Sequence, residues 1–146
     1  MGRIVAAAAA KHLTPLTLEL GGKSPVLVDS TAQISIAAKR ILWGKISNSG
    51  QICIAPDYVI AERSIIPALV ESLKYHYASF YPEGALESKS YSRIISEAHF
   101  ERLKALIKTT TGEIVLGGKW EETEGRRGIE PTVVVNITRD DVLLQE

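Results

Sequence analysis

Short apolar runs alternate with amphipathic segments along this chain of 146 residues. Apolar residues at helical spacing predict helices over 34–46, 65–80 and 96–108, and an alanine-rich stretch predicts another over 2–12. Alternating or continuous apolar runs predict strands at 16–20, 25–28, 58–60, 113–116 and 132–135. Because strands interleaved with helices are typical of α/β proteins, we expect an α/β fold with a mainly parallel sheet.

Composition excludes several classes of partner. Lys and Arg together number 17, as do Asp and Glu, so the net charge is zero and bulk attraction to nucleic acid or to an anionic membrane is not expected. The longest early apolar stretch, residues 4–10, is far shorter than the roughly 20 residues that span a bilayer. A single cysteine excludes an intrachain disulfide and fits a reducing compartment, so we expect a cytoplasmic location.

Several motifs do not support a site. Gly22-Lys23-Ser24 resembles the end of a phosphate-binding loop, but the preceding glycine is missing and an apolar strand follows where a helix is required. The histidines, His12, His76 and His99, stand far apart without acidic companions, so we expect no metal site. The acidic residues Glu121, Glu122 and Glu124 are interpreted as part of a solvated surface turn.

Cys53 and Glu19 are the two candidates for chemistry. Cys53 follows a glycine-terminated helix and precedes Pro56, in a segment rich in polar amides that favour a thiolate. The alternative is a small buried apolar side chain. Glu19 ends the predicted strand at 16–20, where a carboxylate is suited to act as a general base on water. The alternative is a solvent-facing strand residue.

Two segments taken together resemble signatures of the aldehyde dehydrogenase superfamily. Residues 18–25, Leu-Glu-Leu-Gly-Gly-Lys-Ser-Pro, are similar to its glutamate signature, and residues 48–53, Asn-Ser-Gly-Gln-Ile-Cys, are similar to its cysteine signature. Cys53 follows Glu19 by 34 residues, the spacing expected of the family. Residues 55–58 and 91–95 resemble the fatty-aldehyde, or class 3, branch.

The resemblance implies a mechanism. Cys53 would attack an aldehyde to give a thiohemiacetal, hydride would pass to NAD or NADP, and Glu19 would activate the water that hydrolyses the resulting thioester. The backbone N–H of Cys53 would donate to the oxyanion. The backbone of Leu20 would lie near the nicotinamide carboxamide, which makes Leu20 the predicted cofactor-binding residue.

The resemblance also implies a domain organisation. Residues 15–146 would form an incomplete, three-layer catalytic domain with a mainly parallel sheet, and residues 1–14 would be the tail of a helix from a preceding cofactor domain. The family's oxyanion-hole asparagine belongs to that preceding domain, so Asn48 is not its equivalent. Both ends of the chain are expected to continue in a longer parent, whose full-length relatives are homodimers.

These considerations leave three readings of function. The first is an aldehyde dehydrogenase piece that does not oxidise aldehydes alone and that aggregates or associates through open sheet edges. The second is a non-catalytic truncated remnant or association module of such an enzyme. The third is a thiol hydrolase that uses Cys53 and Glu19 without a cofactor.

Overall fold

The computed structural model describes residues 1–121, 123 and 125–145. Its helices and strands follow one another in this order: α1 Gly2–Ala10, β1 Ser24–Val28, α2 Ile34–Ile46, β2 Pro56–Ala61, α3 Ile66–Phe80, α4 Glu97–Thr109, β3 Glu113–Leu116 and β4 Val133–Val135. The predicted α/β fold class is confirmed. The three helices predicted from apolar spacing each begin and end within one residue of the expected position.

Strands β1 and β2 form a parallel pair, with α2 as part of the crossover between them. Two parallel strands need such a connection because the end of the first strand and the start of the second lie at opposite edges of the sheet. Helix α2 packs on α3 through a core of four buried side chains: Ala38, Leu42, Leu69 and Leu73. Burial of these side chains holds the crossover helix α2 against α3, and each contributes about 1 to 3 kcal/mol.

Strands β3 and β4 form a separate antiparallel pair. Beside them, α4 buries Phe100 against Ile94 and Ile129. Gly117 lies in the connection with a φ of 72°, and a Cβ built on it would lie 2.1 Å from the Pro131 carbonyl oxygen. Only glycine fits there, which explains why β3 ends at this point.

The predicted strand at 16–20 is wrong. Residues 14–23 have no regular secondary structure, and their leucines are exposed, Leu20 at 72%. The alternation of apolar and polar residues is typical of a strand only where a neighbouring strand pairs with it. No described segment hydrogen-bonds to 16–20, so the pattern alone does not produce a strand.

The surface retains large apolar side chains. Leu27 of β1 is 78% exposed, and Val28 is the one residue of this strand that is buried. Ile60 of β2 and Trp43 of α2 are also exposed, and α1 buries none of its residues. Within the described residues each strand pairs with one neighbour only. Among these residues no helix is long and apolar enough to cross a bilayer.

Candidate active site

The segment before Cys53 has an unusual backbone. Asn48, Ser49 and Gly50 have φ angles of 49°, 55° and 75°, all in the left-handed region. Glycine tolerates this conformation and asparagine adopts it more readily than most residues, whereas serine does so at a cost. The backbone N–H of Gln51 donates to the Asn48 carbonyl and closes the turn. This turn ends α2 and directs the chain toward Cys53.

The side-chain amide of Gln51 ties this turn to a distant segment. Its Nε2 donates to the carbonyl oxygens of Asn48 and Arg93, at 3.0 Å and 3.1 Å. Its Oε1 accepts from the backbone N–H of Ile95 at 2.9 Å. One side chain therefore joins residues 48–51 to residues 93–95. Below, residues 91–95 are called the strap.

Ser49 adds a second tie to the strap, because its hydroxyl donates to the Ser92 carbonyl at 2.5 Å. The neighbouring Tyr91 is buried, and its hydroxyl donates to the Ile129 carbonyl at 2.9 Å. Burial raises the pKa of Tyr91 to about 12, and the hydrogen bond with Ser49 only partly offsets that rise. The phenol therefore stays neutral at physiological pH and acts as a fixed structural contact.

The strap is itself held by an ion pair. Arg93 Nε lies 2.8 Å from Glu121 Oε2, and the guanidinium also donates to the carbonyl oxygens of Leu86 and Tyr91. The Glu121 side chain is only 9% exposed, and it also accepts from the backbone N–H of Gly128. The interpretation of Glu121 as a solvated turn residue is therefore wrong, because its charge pairs with Arg93. Glu122 and Glu124 lie outside the described residues.

Cys53 is exposed and free, so the alternative of a buried apolar cysteine is excluded. Its carbonyl accepts from the hydroxyl of Ser24, the first residue of β1, at 3.1 Å. The turn continues with a hydrogen bond from the Ala55 N–H to the Ile52 carbonyl. Within the described part of the chain, the backbone N–H of Cys53 has no acceptor.

Glu19 lies in the irregular segment 14–23 that leads into β1, not at the end of a strand as predicted. Cys53 occupies the corresponding position before β2. Since the strands are parallel and Ser24 pairs with Pro56, both residues precede the same, amino-terminal edge of the pair. Four residues connect Glu19 to Ser24, a span of at most about 17 Å, and Ser24 bonds to Cys53. The Glu19 side chain is exposed and makes no hydrogen bond to the described residues.

Leu20 is next to Glu19, and its side chain contacts the start of α1. A Cβ built on Gly2 would lie 2.9 Å from Leu20 Cδ2. In the described chain, the backbone groups of residues 20–22 make no hydrogen bond, and a Cβ on Gly22 would meet open space. The main chain beside Glu19 is therefore open to a ligand.

Two lysines complete the surroundings of this edge. Lys23 donates to Asp57 at 3.2 Å and to the Leu143 carbonyl at 2.9 Å, so it joins the start of β1 to the start of β2. Lys45 packs its side chain near Gly50, where a Cβ would lie 3.3 Å from Lys45 Cε. Burial lowers the pKa of Lys45, while nearby Asp57 raises it and Lys23 lowers it further.

The histidines do not contribute to this site. His76 is buried and its ring bonds to the hydroxyl and the carbonyl of Ser35, whereas His12 and His99 are exposed. Among the described residues no group of His, Cys, Asp and Glu side chains is arranged to hold a metal ion. Two hollows in the surface, of about 470 and 340 Å³, lie elsewhere: one beside α4 and one between α2 and α3.

Sequence reasoning proposed Cys53 and Glu19 as candidates but missed the residues that hold the cysteine turn. Gln51 stands two positions before Cys53, yet nothing local indicates that its amide bonds to residues more than 40 positions away. The signal available in the sequence was the run Asn48-Ser49-Gly50, whose residue types are typical of left-handed turns. Arg93 and Glu121 carry no pattern that links them.

Comparison with known proteins gives a consistent result. A family model described as "Aldehyde dehydrogenase family" matches residues 1–146. The chain is 47% identical over 146 residues to "Aldehyde dehydrogenase, dimeric NADP-preferring" from Rattus norvegicus, covering all of this chain and 31% of that protein. It is 43% identical over 146 residues to "Aldehyde dehydrogenase family 3 member A2" from Mus musculus, covering all of this chain and 29% of that protein.

The fold agrees with solved structures. The structure titled "Substrate bound state of Staphylococcus Aureus AldH" superposes with a TM-score of 0.91 at 41% identity, covering 99% of this chain and 31% of that one. The chain thus spans about a third of the length of the proteins it matches. The expected resemblance to the class 3 branch is confirmed, because its relatives include a family 3 member.

Proposed function

Because the chain belongs to the aldehyde dehydrogenase family, we propose that it carries the two reacting side chains of an NAD(P)-dependent aldehyde oxidation. Cys53 is the nucleophile and Glu19 is the base that activates water. The observation that supports this assignment is the exposed thiol in an anchored turn, at the same sheet edge that Glu19 precedes. Aldehyde oxidation is the activity of the family; the roles of these residues are our proposal.

The first step forms a bond between sulfur and carbon. The Cys53 thiolate attacks the aldehyde carbonyl carbon, a C–S bond forms, and the carbonyl π electrons move to oxygen. The Cys53 backbone N–H has no acceptor in the described chain, so it is available to donate to this oxyanion. One such donor contributes on the order of 3 kcal/mol to stabilisation of the transition state.

A bound nicotinamide cofactor would supply the hydride acceptor needed to oxidise this adduct to a thioester. The residues present fit only the nicotinamide end of this cofactor. The backbone of residues 20–22 is exposed and unpaired in the described chain, as a contact for a carboxamide requires. We propose the main chain of Leu20 as that contact. Residues 20–22 bring no charged side chain for a pyrophosphate.

The second step releases the acid. Glu19 takes a proton from water, the resulting hydroxide attacks the thioester carbon, and the C–S bond breaks to return the Cys53 thiolate. Glu19 is exposed and is not paired with a cation among the described residues. It is therefore free to turn toward the thioester. The four-residue connection to Ser24 keeps Glu19 within reach of the cysteine turn.

Relatives suggest the substrate, cofactor and assembly. The rat protein is named dimeric and NADP-preferring, and we propose the same for a parent that contains this chain. We propose fatty or aromatic aldehydes as the substrate class, from the class 3 relationship. The 146-residue chain alone is expected not to oxidise aldehydes, because its described residues offer no built site for the rest of the dinucleotide. We propose the cytoplasm as its location.

A chimera tests the assignment. Residues 1–146 replace the matching segment, 31% of the length, of the rat enzyme. We expect NAD(P)-dependent oxidation of a medium-chain aldehyde, loss of that activity in Cys53→Ala, and trapping of the acyl-enzyme in Glu19→Gln. A folded chimera without activity would favour the alternative, a non-catalytic remnant or association module. Activity that survives Cys53→Ala would contradict the proposed nucleophile.

A further inference from the structure

We propose that Gln51 is a positioning residue that fixes the direction of the Cys53 backbone N–H. This inference rests on the proposed nucleophilic role of Cys53. Gln51 touches no reacting atom in the proposed mechanism. Its side-chain amide ties the turn that precedes the cysteine to the strap, because it donates to the Arg93 carbonyl and accepts from the Ile95 N–H. Within the turn, it also donates to the Asn48 carbonyl.

The chemistry of the contact requires an amide. Arg93 presents a carbonyl, which needs a donor, and Ile95 presents an N–H, which needs an acceptor. A glutamine side chain supplies both from one planar group. Glutamate of the same length keeps the acceptor for Ile95 and loses both donor contacts. Methionine keeps the approximate volume and loses all three.

The turn needs an external tie. Asn48 and Ser49 are both left-handed and neither is glycine, a conformation that persists only where the surroundings impose it. Ser24 holds the Cys53 carbonyl, and Gln51 holds the chain two residues earlier. The free N–H of Cys53 lies between these two anchors. Its direction is therefore set by both, and loss of the Gln51 anchor leaves it held at one side only.

The partner of Gln51 is rigid enough to serve as a reference. Arg93 bonds to Glu121 and to two backbone carbonyls, and Tyr91 bonds to the Ile129 carbonyl. The backbone N–H of Ile94 donates to the Arg127 carbonyl at 2.9 Å. The strap is thus fixed from both sides. Gln51 transfers that fixed position to the cysteine turn.

Two reactions of the same thiol separate positioning from exposure. In acylation by p-nitrophenyl acetate, sulfur attacks the ester carbonyl, the C–S bond forms and p-nitrophenolate leaves, so an oxyanion develops. Alkylation by iodoacetamide displaces iodide and develops none. We expect Gln51→Met in the 146-residue chain to lower the Cys53 acylation rate about tenfold, while the alkylation rate stays within about twofold. Gln51→Glu, which retains the Ile95 contact, falls between.

The controls use the same substitution elsewhere. Gln33→Met replaces an exposed glutamine without a side-chain hydrogen bond and should change neither rate. Cys53→Ala gives the background from other nucleophiles. Circular dichroism melting checks that each variant is folded at the assay temperature; if Gln51→Met is not, Gln51→Glu carries the comparison.

The outcomes distinguish failure of the positioning role of Gln51 from failure of the nucleophilic role of Cys53. Unchanged acylation in Gln51→Met, or an equal fall in acylation and alkylation, would overturn the positioning role, since the latter indicates altered access to the thiol. Acylation of Cys53 no faster than in the urea-unfolded chain would contradict the proposed nucleophile itself, and both proposals would then fall. A selective loss of acylation supports the inference.

Discussion

The cysteine turn and the Glu19 segment are held in opposite ways. Residues 48–53 are tied by the side chains of Ser24, Ser49 and Gln51, whereas residues 15–22 make no hydrogen bond to the described chain. The proposed nucleophile, Cys53, is thus in a turn whose geometry is determined by contacts within the described residues. The proposed base, Glu19, lies in a segment that has no such contacts among the described residues. This difference suits a mechanism in which sulfur needs a fixed oxyanion donor and the carboxylate needs to approach at a later step.

The largest effect should come from substitution of Glu19. In the chimera, Glu19→Gln should slow thioester hydrolysis at least about 100-fold, the usual contribution of a general base, while the melting temperature stays unchanged. The rate is measured as decay of the acyl-enzyme after rapid mixing. Glu87→Gln is the matched control, because Glu87 is exposed and makes no hydrogen bond or ion pair with the described residues. A large loss of stability in Glu19→Gln would show that the segment is anchored after all.

A smaller effect, on stability, should follow from loss of the ion pair that holds the strap. Glu121→Gln leaves Arg93 without its main acceptor in a partly buried place, so the free energy of unfolding should fall by about 2 to 3 kcal/mol. Urea denaturation followed by circular dichroism measures this. Glu71→Gln removes an exposed ion pair with Lys74 and should cost less than about 1 kcal/mol. Equal losses of stability in Glu121→Gln and Glu71→Gln would mean that the ion pair of the strap is worth no more than an exposed ion pair.

Alanine substitutions at two glycines, one in the cysteine turn and one in the Glu19 segment, compare the two segments directly. Gly50→Ala places a Cβ in the left-handed region, 3.3 Å from the Lys45 carbonyl oxygen, and should cost about 1 to 2 kcal/mol. Gly22→Ala places a Cβ in open space and should be neutral, or stabilising by a few tenths of a kcal/mol through the unfolded state. The same urea titration measures both. A costly Gly22→Ala would indicate contacts in the Glu19 segment that the structure lacks.

The smallest effect concerns pH. Asp141 is buried and accepts hydrogen bonds from the Leu143 N–H, which has the largest effect, and from Thr110 and Thr111, so its pKa is lowered to about 2. Because the folded pKa lies below the unfolded value of about 3.9, this stabilisation is fully present above about pH 4 and is lost as the pH falls toward 2.

Melting temperatures measured between pH 5 and pH 2 test this. They should fall less steeply in Asp141→Asn than in the parent, whereas Asp140→Asn, at an exposed residue, should follow the parent. Asp141 also bears on the comparison of the cysteine turn with the Glu19 segment. Leu143 accepts from Lys23, so Asp141 supports the point where the loose Glu19 segment becomes β1. Parallel curves for Asp141→Asn and the parent would contradict this role.

Much of the fold followed from periodicity, because local spacing reports which face of a helix is buried. Helices α2, α3 and α4 were predicted within one residue for this reason. The strand at 16–20 was not, because its alternation gives a suitable surface but a strand also needs a hydrogen-bonding partner. Glu121 was misread since an acidic run is typical of a solvated turn, whereas its partner Arg93 lies 28 residues away.

The candidate site was predicted only in part, because its reactive side chains stood out and the side chain that holds the cysteine turn did not. Cys53 and Glu19 stood out through motifs, and their chemistry follows from their functional groups. Gln51 could not be assigned, because an amide bonds equally well to any backbone within reach and the sequence does not reveal which backbone that is. The assignment needed the fold to bring the strap beside the turn.

The parallel pairing has a consequence for how this sequence tolerates change. The distance between the two reactive segments depends on the separation of adjacent strands, about 4.8 Å, and not on the number of residues in the crossover. Extra residues inserted at Ser30–Gln33, before α2, would lengthen the path along the polymer without moving either segment. The chemistry proposed for Glu19 and Cys53 therefore does not itself require an interval of 34 positions.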